Sequence, residues 1–519
     1  MAVLAFIITG TASTHDFFRE ISSASDQDFV VIYNALRMND GLPQTMFGHT
    51  GYTYFLILSQ WLQALDLINL IPISKISELP EPDQFESTWE VLVYAGRALS
   101  IFLSFTASFV FYFILKLVIE NRNLAAAFAI LFAISPGLVR HSLVMRTELP
   151  SFVFFIIALL FTLRAGRSKP WNEFYYVFLA AFFATMAVMA KMQSIPLVLA
   201  LPIIGLVINS RIRETCGPTH IIYPLPIVAA ASLILLAISI PAQVMVWTQT
   251  FPAMPQMKMV FNSGYQILIM IYFITIISLY NLLDRRSLKE FILSISFISC
   301  GMAVAFYSNF FNHTVTNTAQ LVNFIDNMSL FARKSLFIEQ APVSGFNLFV
   351  RLLIEFGDAL THTFQRNFFA FEIFKLPYTL AYGISALSAF YFLIYKKWRQ
   401  FLIIGTLLTI AIGMEAFSGF RNFFEHYRIY YEVWILLSSA FLAQYAIQIC
   451  SLTVIKTYGI VKITIFLLIT VILSYTTVGS LGRAGTSVEW QARDNACFQA
   501  RGYMKDLVTH FCSNKFLRK

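Results

Sequence analysis

The sequence predicts an all-α polytopic membrane protein with about thirteen transmembrane helices. Three observations lead there. Of 519 residues, 58% are hydrophobic and 13% charged, and the mean hydropathy is +0.68, whereas a soluble domain carries about 25% charged residues. The apolar residues form continuous runs rather than alternating ones, which suits helices that satisfy their own backbone hydrogen bonds in lipid and excludes a barrel. The Lys and Arg residues are unevenly shared between the connecting loops. A soluble enzyme, a disordered chain and a collagen-like fibre are ruled out. The formal net charge of +9 belongs to topology rather than to nucleic acid, since much of it sits in short loops.

In chain order the runs centre near residues 6, 103, 132, 157, 182, 203, 231, 274, 299, 386, 409, 441 and 468. The first is short, and no basic residue precedes it as a signal peptide requires; it reads as the remainder of a helix that begins upstream. With the N-terminus inside, the inner loops hold fifteen Lys and Arg and the short outer loops six: Arg140, Arg146, Lys191, Lys258, Arg421 and Arg428. Residues 12–90 and about 310–376 become large outer loops, and the tail from about 481 to 519 is external, so that residues 1–480 form one transmembrane domain. Residues 50–71 are apolar with scattered polar positions and read as a helix lying in the interface; the parity requires that they not span. The spans after the sixth read as almost free of internal charge, which counts against a transport path through the bundle.

Polar residues gather on the outer side in four clusters. In residues 22–55, Asp26 and Asp28 follow the first span; Ser25 or Asp26 would cap a helix running to about Met38 and ended by Asn39-Asp40-Gly41. Two acids two apart on a helix point about 200° away from each other, so one faces a site while the other serves the helix start. Residues 135–152, read as a short outer loop, hold Arg140, His141, Arg146 and Glu148, with Pro150 in the first turn of the next span. Lys191 stands in a tight outer turn, either snorkelling or binding phosphate. Residues 418–434 bring Arg421, Glu425, His426, Tyr427 and Arg428, either an interfacial belt or a phosphate site.

Carboxylates, cations and a large outer loop together suit glycosyl transfer from a lipid-phosphate sugar. The phosphate leaves as an anion and needs positive charge or a metal; the acceptor hydroxyl needs a base, which a carboxylate supplies. No HExxH, GxSxG, Walker A or dinucleotide glycine motif is present. Cys216, Cys300 and Cys450 read as packing residues, whereas Cys497 and Cys512 share the external tail and pair if that compartment is oxidising.

These residues resemble the GT-C superfamily of integral-membrane glycosyltransferases, most closely the bacterial branch related to protein O-mannosyltransferases and the aminoarabinose transferase of lipid A. That branch has a first outer loop with an acidic motif, an interfacial helix, a glycine, and then a His-Pro-like or His-Thr-Gly-like element. Here Asp26-Gln27-Asp28, Tyr33, Gly41-Leu42-Pro43 and His49-Thr50-Gly51-Tyr52 look like these, and Arg146-Thr147-Glu148 looks like a second acid in the next outer loop. Many relatives have Asp-Glu at the first site where this chain has Asp-Gln-Asp. Counting from Gly41 favours Asp26 as the base and counting from His49 favours Asp28, so both are carried. The resemblance implies a GT-C-like fold and an inverting transfer from a polyprenyl-phosphate sugar to a lipid, glycan or protein acceptor. Asp26 or Asp28 would be the general base and Glu148 would position the acceptor or a metal. Arg146, Lys191, Arg421, His426 and Arg428 would bind the donor phosphate, with His49, Tyr52, Arg140, His141 and Tyr427 lining the substrate. No cofactor is certain; a divalent cation (magnesium or manganese), held by Asp28 and Glu148, stays open because some relatives use one and others do not. The implied place is a bacterial inner membrane with the site facing the periplasm, among membrane lipids and without nucleic acid. A flippase, polymerase or ligase of lipid-linked glycans is the alternative.

Overall fold

Apolar runs that must pair their own backbone groups fold as helices, and every regular element of the described chain is one. The computed structural model describes residue 17, residues 28–42, 45, 51–168, 170–209, 288–310, 345–368, 376–420 and 427–452, and, in the tail, 497, 500–501 and 504–512. The helices are α1 (Asp28–Asn39), α2 (Tyr52–Leu67), α3 (Pro82–Val118), α4 (Arg122–Ala133), α5 (Pro136–Ser142), α6 (Glu148–Ala165), α7 (Pro170–Ala190), α8 (Ile195–Asn209), α9 (Leu288–Phe310), α10 (Gly345–Phe368), α11 (Leu376–Ile394), α12 (Trp398–Phe420), α13 (Arg428–Leu452) and α14 (Val508–Phe511).

Four of them hold stretches long and apolar enough to cross a membrane: Gln84–Val118, Glu148–Ala165, Asn172–Ala190 and Trp398–Phe420. These are the expected spans near 103, 157, 182 and 409. The span expected near 132 is the pair α4 and α5, bent by 55°, which makes a fifth crossing if taken as one. The expected spans near 203, 299 and 386 have apolar stretches of fewer residues (Ile195–Asn209, Ile292–Ala305 and Tyr378–Ile394), and the one near 441 lies in α13. Those near 6, 231, 274 and 468 lie outside the described residues. Exposed apolar side chains on α9 (Ile292, Ile295, Ile298, Met302) and α11 (Ile384, Leu387, Phe390) present a surface suited to lipid rather than water. Cys300, expected to pack, is exposed on that surface.

The bundle grows by neighbour packing. α6 lies along α7, α7 along α9, and α3 against both α4 and α6; α12 joins α10, α11 and α13 into a second group and meets α8. At 37 residues and about 1.5 Å per residue, α3 is roughly 55 Å long, well beyond a hydrocarbon core of about 30 Å. Its first turns, expected as part of the outer loop, therefore continue outward as helix and give α1 and α2 a wall to pack on.

The segment expected as the first outer loop contains two helices before α3. α1 ends where predicted: Gly41, at φ +68°, takes the left-handed turn, and Leu42 N–H donates to Arg37 O at 2.9 Å. The candidate caps Ser25 and Asp26 lie outside the described residues. α2 occupies the segment read as interfacial and is not among the span-length apolar helices. The stretch from 135 was read as loop, but residues 136–142 are helical. The reason is local: Ser135 is extended, Pro136 starts a new helix, and Ser135 Oγ accepts from Leu138 N at 3.4 Å. The segment expected as the second large outer loop contains α10, which buries Ala359, Thr363 and Asn367 while exposing Ile354, Leu360 and Phe364.

Candidate active site at one end of the bundle

Asp28 opens α1 and is fully buried. A carboxylate in that position is tolerable only if it is paired and hydrogen-bonded. Arg97, also fully buried, supplies both requirements: its Nε and Nη2 donate to Asp28 Oδ2 at 3.1 and 2.9 Å. The second oxygen, Oδ1, accepts the backbone N–H of Met145 at 3.0 Å. Arg97 Nη1 donates to Phe17 O at 2.7 Å. Sequence reading missed Arg97. The signal was there, because a lone arginine inside the apolar run of α3 is costly unless it has a partner.

Met145 leads directly to the second acid. The 145–148 segment sits close to α2 and α3 because glycines face it: a Cβ on Gly96 would fall 2.0 Å from Met145 Sδ, and one on Gly51 would fall 2.9 Å from Thr147 Cγ2. The Gly51-Tyr52 element and the Arg146-Thr147-Glu148 element, far apart in sequence, are therefore neighbours. Glu148 begins α6 and is nearly buried; its Oε1 pairs with Lys191 Nζ at 3.1 Å. Lys191 is buried as well, so it turns inward rather than snorkelling. Its turn is as tight as expected: a 3-10 turn at Met192–Ser194 joins α7 to α8, and Ser194 Oγ donates to Lys191 O at 2.8 Å. Ser151 Oγ donates to Ala187 O at 2.9 Å and fastens α6 to α7 beside this pair.

The fourth cluster joins from α13. Tyr430 OH donates to Glu148 O at 3.3 Å, and the Tyr427 ring stacks on Tyr430 at 5.9 Å. Arg428 pairs with Glu432 one turn along and lies 5.1 Å from the Tyr378 ring. Glu432, fully buried, accepts Gly137 N–H at 2.9 Å and so holds the start of α5. His141 is fully buried on α5, with Nδ1 2.6 Å from Gly137 O. A carbonyl partner makes Nδ1 the protonated nitrogen, which leaves Nε2 an acceptor with no hydrogen-bond partner among the described residues. The charges of Glu148, Arg146 and Arg140 all act on this ring.

Gly137 is where α5 and α13 touch. A Cβ there would lie 2.6 Å from Glu432 Oε2 and 2.7 Å from the backbone N of Ile429. Gly137→Ala is therefore expected to destabilise the protein by about 1–3 kcal/mol through overpacking, because backbone cannot yield as a side-chain tip does. The midpoint of thermal unfolding in detergent measures it.

Glu415 and Glu432 correct the expectation that the later spans are almost free of charge. Glu415, on α12, is buried and accepts from Arg366 Nη2 at 2.9 Å, Asn367 Nδ2 at 2.6 Å and Tyr382 OH at 3.0 Å. It thereby ties α10 to the bundle.

Of the residues singled out in the sequence, the structure gathers Asp28, Tyr52, His141, Arg146, Glu148, Lys191, Tyr427 and Arg428 at one end, with Arg140 on the same short helix as His141. Asp26, His49, Arg421 and His426 lie outside the described residues. Among the described residues no three His, Cys, Asp or Glu side chains gather as metal ligands. Asp28 and Glu148, the pair considered for a cation, pair with Arg97 and Lys191 respectively. No family model, curated protein or solved structure matches this chain, so the functional reading rests on its own residues.

Proposed function

We propose that the protein is a membrane-embedded, inverting glycosyltransferase that moves a sugar from a polyprenyl-phosphate donor to a lipid, glycan or protein acceptor on the outer face. The observation that supports it best is the meeting of two buried acid–base pairs, Asp28–Arg97 and Glu148–Lys191, at the 145–148 segment. Charges buried this way cost several kcal/mol per ion before pairing, and together they offer the carboxylates and cations that the reaction uses. The acceptor oxygen bonds to the anomeric carbon while the bond from that carbon to the phosphate oxygen breaks. The acceptor proton passes to a carboxylate, and polyprenyl phosphate leaves as an anion stabilised by Lys191 and by arginines of the same end.

Of the two acids, Asp26 is taken as the base, because Asp28 is already committed to Arg97 through Oδ2 and to the Met145 N–H through Oδ1. In this reading Asp28 anchors the motif, Asp26 receives the proton, and the acceptor nitrogen of His141 takes a substrate hydroxyl. The Cys497–Cys512 disulfide, packed on the same end, fits an oxidising compartment such as the periplasmic side of a bacterial inner membrane.

The test is a transfer assay on purified protein with a panel of radiolabelled polyprenyl-monophosphate sugars and membrane lipid extract. Label should move to an acceptor with release of polyprenyl phosphate. Asp26→Asn should stop transfer and leave the protein folded; a folded wild-type sample that turns over none of the donors sinks the proposal. A flippase, polymerase or ligase of lipid-linked glycans is the second reading. It is favoured by Glu415 and Glu432, buried carboxylates within the later helices, and diphosphate-linked glycan donors in the same panel separate it.

A further inference from the structure

The external tail folds back onto the helix that carries the first acid. Cys497 and Cys512 are joined in a disulfide. Within the loop it closes, Lys505–Leu507 makes a 3-10 turn and α14 follows. Phe511, fully buried, stacks on Phe29 at 5.0 Å and meets Phe85 at 5.1 Å and Trp89 at 5.3 Å edge-on. His510 lies 4.7 Å from the Phe85 ring. Asp506 Oδ2 accepts from Tyr33 OH and from Arg37 Nη1, both at 2.8 Å. Burial, and then the neighbouring Asp506 carboxylate, push the Tyr33 phenol up to about 12, so it stays a donor at any physiological pH.

The partners of the tail matter because of where they stand. Phe29 follows Asp28 directly on α1. Phe85 and Trp89 lie on α3, and Trp89 is two turns before Arg97. One ring, Phe511, thus touches both elements whose side chains form the buried Asp28–Arg97 pair, and Asp506 grips α1 further along. An isolated twelve-residue helix is marginal by itself, so α1 needs tertiary contacts of this kind to hold its place. A disulfide that closes the tail loop limits the alternatives open to the undocked tail and favours the docked one.

We infer that the disulfide-closed tail is a clamp that holds α1 against α3, so that the seat of Asp28 on Arg97 depends on the oxidised state of Cys497–Cys512. Reduction by a dithiol converts the protein disulfide to two thiols while the dithiol becomes a disulfide. The freed tail then releases Phe511 from its three aromatic partners, and α1 loosens while the membrane helices stay. Asp506 and Phe511 are positioning residues in this scheme, acting through α1.

Hydrogen exchange followed by mass spectrometry on the full chain in detergent, with and without dithiothreitol, tests this without any need for transfer activity. The outcome therefore stands apart from that of the glycosyltransferase reading. Dithiothreitol should speed exchange of the α1 amides by about tenfold or more, as a locally opening segment does, and leave α6 unchanged. The Cys497→Ser/Cys512→Ser variant should show the fast α1 exchange in both conditions and no response to dithiothreitol. Asp506→Asn, which keeps the disulfide, should give an intermediate rate. Unchanged α1 exchange in the reduced wild type overturns the clamp. So does an α6 rate that rises in step with α1, which marks global unfolding, or a dithiothreitol response that persists in the double serine variant.

Discussion

Arg97→Met is expected to destabilise the protein by about 3–5 kcal/mol, the cost of stripping one partner from a buried ion pair. Arg97 and Asp28 are both fully buried, so the methionine strips the carboxylate of the Arg97 guanidinium. Met145 N–H still reaches Oδ1, but a neutral amide does not replace that positive charge. Asp28→Asn takes the paired carboxylate from the buried guanidinium in the same way and should lower the yield of folded protein. That separates Asp28 from Asp26, whose substitution should stop transfer if the proposed reaction is right. Arg97→Lys should fall between, since an ammonium cannot reproduce the two donors that Nε and Nη2 place on one oxygen. The Arg97→Met/Asp28→Leu double variant should recover much of the loss, because removing both charges removes the mismatch. Thermal unfolding in detergent followed by tryptophan fluorescence measures each member of the cycle. An Arg97→Met protein as stable as the wild type would show that the pair contributes nothing.

The helical class and the gathering of polar residues at one end were legible in the residues, because lipid leaves a backbone few choices and because polar groups at the span ends stand out from apolar runs. The end of α1 at Asn39-Asp40-Gly41 and the tight turn at Lys191 were legible for the same local reasons. Partnership was not. Glu148 and Lys191 were each noticed, but their pairing spans α6 and α7 and depends on how those helices dock. Arg97 and Glu415 sit inside apolar runs, where their cost in lipid is the one sequence signal that marks them as halves of pairs. The 135–142 segment lies between two apolar runs and so reads as loop, whereas the Ser135-Pro136 start and the grip of Glu432 on Gly137 make it a helix. The length of α3 was masked by the charged residues of its outer turns, Asp83, Glu86 and Glu90, which suit a helix that has left the membrane.

Lys191→Met is expected to slow transfer by about 10²–10³-fold, the usual effect of removing one preorganised group that stabilises charge in the transition state. In the described state Lys191 serves Glu148 at 3.1 Å. In the proposed reaction an arriving phosphate would compete for the same ammonium, and as the bond to the sugar broke its growing charge would strengthen that claim more than in the ground state. The loss should therefore fall mainly on kcat. The single variant also leaves Glu148 buried without its cation, so a drop in stability would confuse the reading. Glu148→Gln/Lys191→Met removes both charges and should restore much of the stability. If Lys191 acts on the leaving phosphate, transfer stays low in this refolded double variant. Glu148→Gln removes the carboxylate that Lys191 meets at 3.1 Å; if Glu148 positions the acceptor, it should raise the KM for the acceptor. Steady-state kinetics with donor and acceptor varied in turn distinguishes the two roles. Wild-type kcat in the stable double variant would remove Lys191 from the chemistry and leave the Glu148–Lys191 pair as a fastening between α6 and the α7–α8 turn.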